Sequence, residues 1–344
     1  MTQAGDSQAH LEALHEQFAQ FKLSGYWQRG GARPVEPSAA LWRWAEIHGP
    51  LEAARTTVRL PEDTDQRVVG LANPGLGGAT RPLSMAFQML NPGETVDSHR
   101  HTATQMRFMV DGHGAYTTSD GEELYMEPGD LLVQPNWSWH GSTNHSDEPA
   151  IWVDAQDRNL TLYLGAFRRD GWAEGGVQPT TNPEGFYSRK FGMVRPNVAI
   201  SGNTDPAEPI PPIRYRWGET LDALNEMADA GEHNPFDGVL LEYTNPVTGG
   251  HTVPTMSACI QMLRPGEETR THRHTGTAIY HVVQGSGVSS VGGDDLAWER
   301  RDCFTVPPLQ WHSHRNTSKE PAIMFSINDR PTLEALQLYH EEAR

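Results

Sequence analysis

Residues Gln88–Thr102 read QMLNPGETVDSHRHT, and residues Gln261–Thr275 read QMLRPGEETRTHRHT. A second pair follows each: PNWSWHGSTNHSDEPAI from Pro135 is answered by PPLQWHSHRNTSKEPAI from Pro307. The step is 173 residues from Gln88 to Gln261 and 172 from Pro135 to Pro307, so one residue is lost between them, in a turn. A duplication of this length sets the number of folding units before any local reading is made.

Inside each copy the pattern is one of short strands. In the first, Gln105 to Val110 runs into Asp111-Gly112-His113-Gly114, Ala115 to Ser119 runs into Asp120-Gly121, and Glu127-Pro128-Gly129-Asp130 precedes Leu131 to Gln134. Asp-Gly between strand-like runs is a hairpin signal, and Pro-Gly marks further turns. Regular short strands occurring twice predict an all-β protein of two jelly-roll barrels. Flanking helices are expected where apolar residues fall at helical spacing, over His10–Phe21 and Glu219–Ala230. The expected division is a helical arm with lead-in strands at 1–75, a first barrel at 76–170 that does chemistry, and a linker with a helix at 171–235. A second, structural barrel at 236–330 and a C-terminal helix at 331–344 complete it.

Bulk properties narrow the function classes. A chain of 344 residues exceeds what one core normally supports. Its net charge of -17 and pI near 5.3 repel a phosphate backbone, which argues against nucleic acid. No apolar run reaches the length needed to cross a bilayer. The start MTQAGDSQAHLEAL lacks the charged and apolar regions of a secretory signal, and the two cysteines, Cys259 and Cys303, suit buried free thiols in a cytoplasmic setting.

Side chains two apart on a strand share a face, so His99 and His101 point together while Arg100 points away. A later strand end carries His140, which a barrel can bring opposite that pair. Three neutral imidazoles favour a borderline divalent metal and leave coordination positions for other ligands. Many barrels of this kind add a glutamate a few residues past the second histidine, but Thr102-Ala103-Thr104-Gln105-Met106 offers no carboxylate. The second copy repeats the pattern as His272, His274 and His312. Its neighbours differ: Arg107 of the first copy corresponds to Tyr280, and Asp154 to Ser326. A cation and an acid beside the metal are what an anionic substrate requires, which assigns the chemistry to the first copy.

At HRHTATQMRFMVDGHGAYT and DLLVQPNWSWHG, followed by Asp154, the sequence resembles the gentisate 1,2-dioxygenase family, which includes salicylate and 1-hydroxy-2-naphthoate dioxygenases. The resemblance spans Arg67 to Leu338. It implies a bicupin fold, a homotetramer, and one Fe(II) per subunit held by His99, His101 and His140 in the first barrel. The implied reaction uses O2 to cleave the ring of a salicylate-type acid between its carboxyl-bearing and hydroxyl-bearing carbons. Arg107, Asp154 and Gln88 are the implied catalytic set, with Arg67, Trp139 and Ser142 as further substrate contacts. One departure bears on the substrate: the family commonly has a histidine two residues after the third ligand, where this chain has Ser142, although its second copy keeps His314. Gentisate is thereby less secure as the substrate, and gentisate, salicylate and a substituted salicylate bearing a nitro group or a halogen all stay open. The competing readings are another metal cupin enzyme, such as a manganese oxalate decarboxylase, and a non-catalytic binding or storage cupin.

Overall fold

Along Ser84–Leu90 the side chains of Met85, Phe87 and Met89 enter one apolar cluster, while Gln88 and Leu90 turn the other way. The same alternation puts Met106 and Phe108 on one side of Gln105–Asp111 and Gln105 and Arg107 on the other. On Ala150–Gln156, Ile151, Val153 and Ala155 join the apolar side, leaving Trp152 and Asp154 opposite. These three strands are neighbours in one six-stranded sheet, so their alternation gives the sheet an oily outer face and a mixed inner face.

The second copy builds the same sheet from Ser257–Leu263, Ala322–Asn328 and Ala278–Gln284. Its outward residues Ala258, Ile260, Met262, Ile279, Ile323, Phe325 and Ile327 fall in the same cluster as those of the first copy. Phe108 and Phe325 stack there with ring centres 4.5 Å apart. The largest core therefore lies between the barrels, while each barrel interior keeps a smaller cluster and room for polar groups.

Each six-stranded sheet faces a five-stranded one. In the first barrel this is Arg169–Gly171, Thr95–His101, His140–Asn144, Ala115–Ser119 and Glu122–Met126, in that order; in the second it is Asp294–Glu299, Ser286–Val291, His312–Asn316, His272–His274 and Glu341–Ala343. The Asp120-Gly121 turn between Ala115–Ser119 and Glu122–Met126 has positive φ at both residues, 42° and 84°, as a tight hairpin demands. Segments from outside each copy complete the sheets. Leu41–Trp42 pairs with Cys303–Val306 of the second barrel, and Ile213–Tyr215 pairs with Leu131–Gln134 of the first.

The protein is seen here as a computed structural model that describes residues 3–20, 37–191 and 211–344. The helix expected over His10–Phe21 runs from Gln3 to Gln20, with Phe21 outside the described residues, and belongs to a unit of its own. The other runs from Trp217 to Asp229. Of the 171–235 segment, residues 192–210 lie outside the described ones. The chain end differs from the helix expected at 331–344: a helix spans only Arg330–Ala335, and Glu341–Ala343 is a strand against His272–His274. The exposed Leu336 and Leu338 give that segment no apolar stripe to bury, while the edge of the histidine strand offers unpaired backbone groups. Both cysteines are buried and free. No helix among the described residues is long and apolar enough to cross a membrane.

Candidate metal centre

The register of the five-stranded sheet brings the first triad together. His99 lies directly across from His140 on the neighbouring strand, and His101 follows two residues along on the same face. Ring centres are 4.5 Å apart for His99 and His140, 4.8 Å for His101 and His140, and 5.7 Å for His99 and His101. One nitrogen from each ring lies within 4.8 Å of the others.

Backbone contacts fix which nitrogens face inward. His99 Nδ1 lies 2.9 Å from the Asp97 carbonyl, His101 Nδ1 2.7 Å from that of Ala103, and His140 Nδ1 3.0 Å from that of Ser138. A carbonyl only accepts, so each Nδ1 carries the proton and each Nε2 a lone pair. His140 Nε2 is buried and has no partner. His101 Nε2 faces Gln105 Oε1 at 3.2 Å, where two acceptors meet, an arrangement that a cation between them would relieve. Burial pushes the His99 imidazole down to about 3, and lowers His101 and His140 as well. Neutral rings with converging lone pairs are the form that binds a metal.

Beside the triad, on the six-stranded sheet, lies a buried polar group. Arg107, only 1% exposed, donates from Nε to Asp154 Oδ1 at 3.0 Å, and from Nη1 to Thr117 Oγ1 at 2.7 Å and to the Ser142 hydroxyl. Trp152 Nε1 donates to the same Asp154 oxygen at 3.1 Å. Burial pushes the Asp154 carboxyl up, against the pull of the Arg107 guanidinium. The remaining nitrogen, Nη2, has only a 3.5 Å contact with Gln88 Oε1, and Gln88 Nε2 has no partner at all. Two N–H donors are thus left in a buried place, which suits an oxyanion.

Two residues expected at the substrate point elsewhere. The Arg67 guanidinium is taken up by Glu94, at 2.7 and 2.8 Å, and by the Val58 carbonyl. Its neighbour Val68 is the residue across from Gln88, so strand alternation turns Arg67 to the opposite face. Trp139 precedes His140 and turns outward, where it meets Trp172 edge-on and stacks under Arg100, 4.6 Å from its guanidinium. Gln66 was not foreseen: its Nε2 lies 2.8 Å from His99 Nε2. Nor was Arg169, which pairs across the sheet with His101.

The second triad repeats the geometry, with ring centres 4.2, 4.9 and 5.7 Å apart. In place of the arginine, Tyr280 stacks on Phe304 and lies beside His314, their ring centres 5.3 Å apart.

Comparison with known proteins places this architecture. A cupin domain model matches residues 86–156 and again 259–328. The 5-aminosalicylate 1,2-dioxygenase of Comamonas sp is 35% identical over 352 residues, 98% of this chain and 91% of the relative. The 1-hydroxy-2-naphthoate dioxygenase of Nocardioides sp. is 36% identical over 353 residues, 97% of this chain and 88% of the relative. The crystal structure of salicylate 1,2-dioxygenase from Pseudaminobacter salicylatoxidans superposes with a TM-score of 0.85 at 28% identity, covering 97% of each chain.

Proposed function

The chain belongs to the gentisate 1,2-dioxygenase family of ring-cleaving bicupin enzymes, and we propose that its first barrel uses one Fe(II) and O2 to open a salicylate-type ring between the carboxyl-bearing and hydroxyl-bearing carbons. The observation that carries this reading is the meeting of three neutral imidazoles beside two buried donors, Arg107 Nη2 and Gln88 Nε2, that lack a full partner.

His99, His101 and His140 would hold the iron, which when bound supplies the redox chemistry that lets dioxygen react with a closed-shell ring. The protein groups supply position and charge. Arg107 Nη2 and Gln88 Nε2 take the substrate carboxylate, and the buried surroundings strengthen that contact relative to water. Asp154 orients the guanidinium through its Nε and is itself held by Trp152, so it acts as a positioning residue. Thr117 and Ser142 hold the other side of the same guanidinium. At 142 a short hydroxyl, taken up by Arg107 and Thr117, stands in place of an imidazole and leaves the ligand without that ring's contact, which favours a nitro-, halo- or amino-substituted salicylate over gentisate.

The two-ring acid 1-hydroxy-2-naphthoate presents the same adjacent hydroxyl and carboxylate, and the likeness to the Nocardioides enzyme makes it the second reading. The same proposal includes a cytoplasmic homotetramer; the buried free thiols suit a reducing compartment.

Anaerobic reconstitution with Fe(II), then oxygen uptake with salicylate, its 5-substituted forms, gentisate and 1-hydroxy-2-naphthoate, tests the reading. Stoichiometric uptake with at least one of them, yielding a ring-opened oxo-dicarboxylate, is expected. Activity that follows manganese or zinc, with no uptake on any aromatic acid, would overturn it.

A further inference from the structure

We propose that the second barrel holds a divalent transition-metal ion of its own on His272, His274 and His312, at a site that takes water rather than an aromatic acid. Three observations carry this. The first is the convergence of the rings, with one nitrogen from each within 4.8 Å of the others.

The second is how those rings are held. His274 Nδ1 lies 2.9 Å from the Gly276 carbonyl and His312 Nδ1 lies 3.0 Å from that of Gln310. These are the contacts, two residues on and two residues back, that His101 and His140 make in the first barrel. Each fixes the proton on Nδ1 and turns the Nε2 lone pair inward, the way metal-binding histidines are oriented. His312 Nε2 is buried with no partner, which is costly unless something occupies the position it faces. His272 is held differently, its Nδ1 buried without a partner and its Nε2 3.9 Å from Asp237 Oδ1, so the match to the first barrel rests on His274 and His312.

The third is access. A cavity of about 300 Å3 opens beside His272 and His274. Its wall includes Asp237, Glu242 and Glu341, with Arg330 as the opposing charge. Arg330 is already paired with Glu334 at 2.6 Å. With Arg330 held by Glu334 and Glu242 by His251 at 2.7 Å, the lining offers a carboxylate ligand no cation comparable to Arg107, while Glu341 leaves a carboxylate on the side from which a cation would enter. With three imidazole donors and no thiolate at the triad, zinc, nickel, cobalt and ferrous iron are the ions of matching preference.

The test uses the full chain, stripped of metal and titrated anaerobically with Co(II), read by metal analysis and by the visible absorption of the bound ion. Wild type is expected to bind two ions per chain. The His99→Ala/His140→Ala variant should keep one, and the His274→Ala/His312→Ala variant should also keep one. Salicylate should change the spectrum of wild type and leave that of the first-triad variant unchanged.

One ion per chain in wild type and none in the first-triad variant, with its circular dichroism intact, would overturn the proposal. A salicylate-induced change in that variant would overturn the claim about its ligands. Because the second triad is untouched in the first-triad variant, a misfolded second-triad variant does not weaken the result. Wild type holding a single ion that only the second-triad variant loses would instead remove the metal from the first barrel, so failure of either site is told apart from failure of the other.

Discussion

Across the sheet from His101 stands Arg169, and across from His274, at the matching place in the other barrel, stands Glu341. Arg107 beside the first triad is answered by Tyr280 beside the second, and Asp154 by Ser326. Ser142, which accepts from Arg107, is answered by His314, whose Nδ1 meets Ser289 Oγ at 2.7 Å. Two barrels with one backbone and one triad thus surround it with different groups: a buried guanidinium–carboxylate pair in the first, a phenol and a hydroxyl in the second. The difference teaches that the triad supplies a set of donors that could hold an ion, while the strands facing it decide what else the site could admit. A buried arginine with a nitrogen to spare suits a carboxylate ligand; a phenol in its place does not.

The sharpest way to break this comparison is to remove one ligand from each barrel. His140→Ala is expected to lower oxygen uptake by about 10³-fold or more, since the redox centre goes with it. His312→Ala is expected to keep turnover. Equal losses in the two variants would mean that both barrels serve one reaction. Arg107→Ala comes next, with iron content retained and kcat reduced by about 10² to 10³-fold, as when a preorganised charge is withdrawn. Because Asp154 would then be a buried carboxylate without its cation, at a cost of about 3–5 kcal/mol, thermal melting must be followed alongside activity. Unchanged turnover would take Arg107 out of the reaction.

How much of this was legible in the sequence follows from which physical rule each residue obeys. The two HRHT runs and the answering histidines sit at fixed offsets, and His99, His101 and His140 needed only strand alternation and closure of a barrel to meet. Arg107 and Asp154, proposed by asking where two copies of one pattern differ, are a buried pair in the structure. Trp139 failed because the residue before a ligand faces away from it, and Arg67 because a shift of one residue on a strand exchanges its faces. Gln66 and Arg169 approach the triad from segments outside the repeat, where pairing depends on how the chain returns to the sheet. Gln105 was visible, at the fourth residue past His101, but was read only as the absence of a carboxylate.

Ser142 offers a smaller change in the same comparison. Ser142→His gives the first barrel the residue that the second has at His314. It is expected to raise the ratio of kcat/KM for gentisate over salicylate by about tenfold, within the range that one pocket contact commands. An identical ratio in the variant would show that position 142 does not select the substrate.

The smallest expected effect concerns a feature the barrels share. Asp157 accepts from the Thr104 backbone N–H at 2.8 Å, and Asp329 from that of Thr277 at 2.8 Å, each tying the end of its barrel's last long strand to the loop after the paired histidines. Burial pushes both carboxyls up to about 6, from an ordinary value of 3.8. The native state therefore holds a proton at each that the unfolded chain has released, so between about pH 4 and pH 6 these groups make stability fall as pH rises. Asp157→Asn keeps an acceptor oxygen without the charge and should gain stability relative to wild type across that window, seen as a rising difference in denaturant midpoint. Asp329→Asn should do the same. Asp157 also accepts from Thr255, on the loop leading into the second barrel, whereas Asp329 has no such partner among the described residues. If that bond couples the barrels, Asp157→Asn should in addition shift the midpoint at every pH; a constant offset with no pH dependence in either variant would mean that neither carboxyl is protonated in the folded chain.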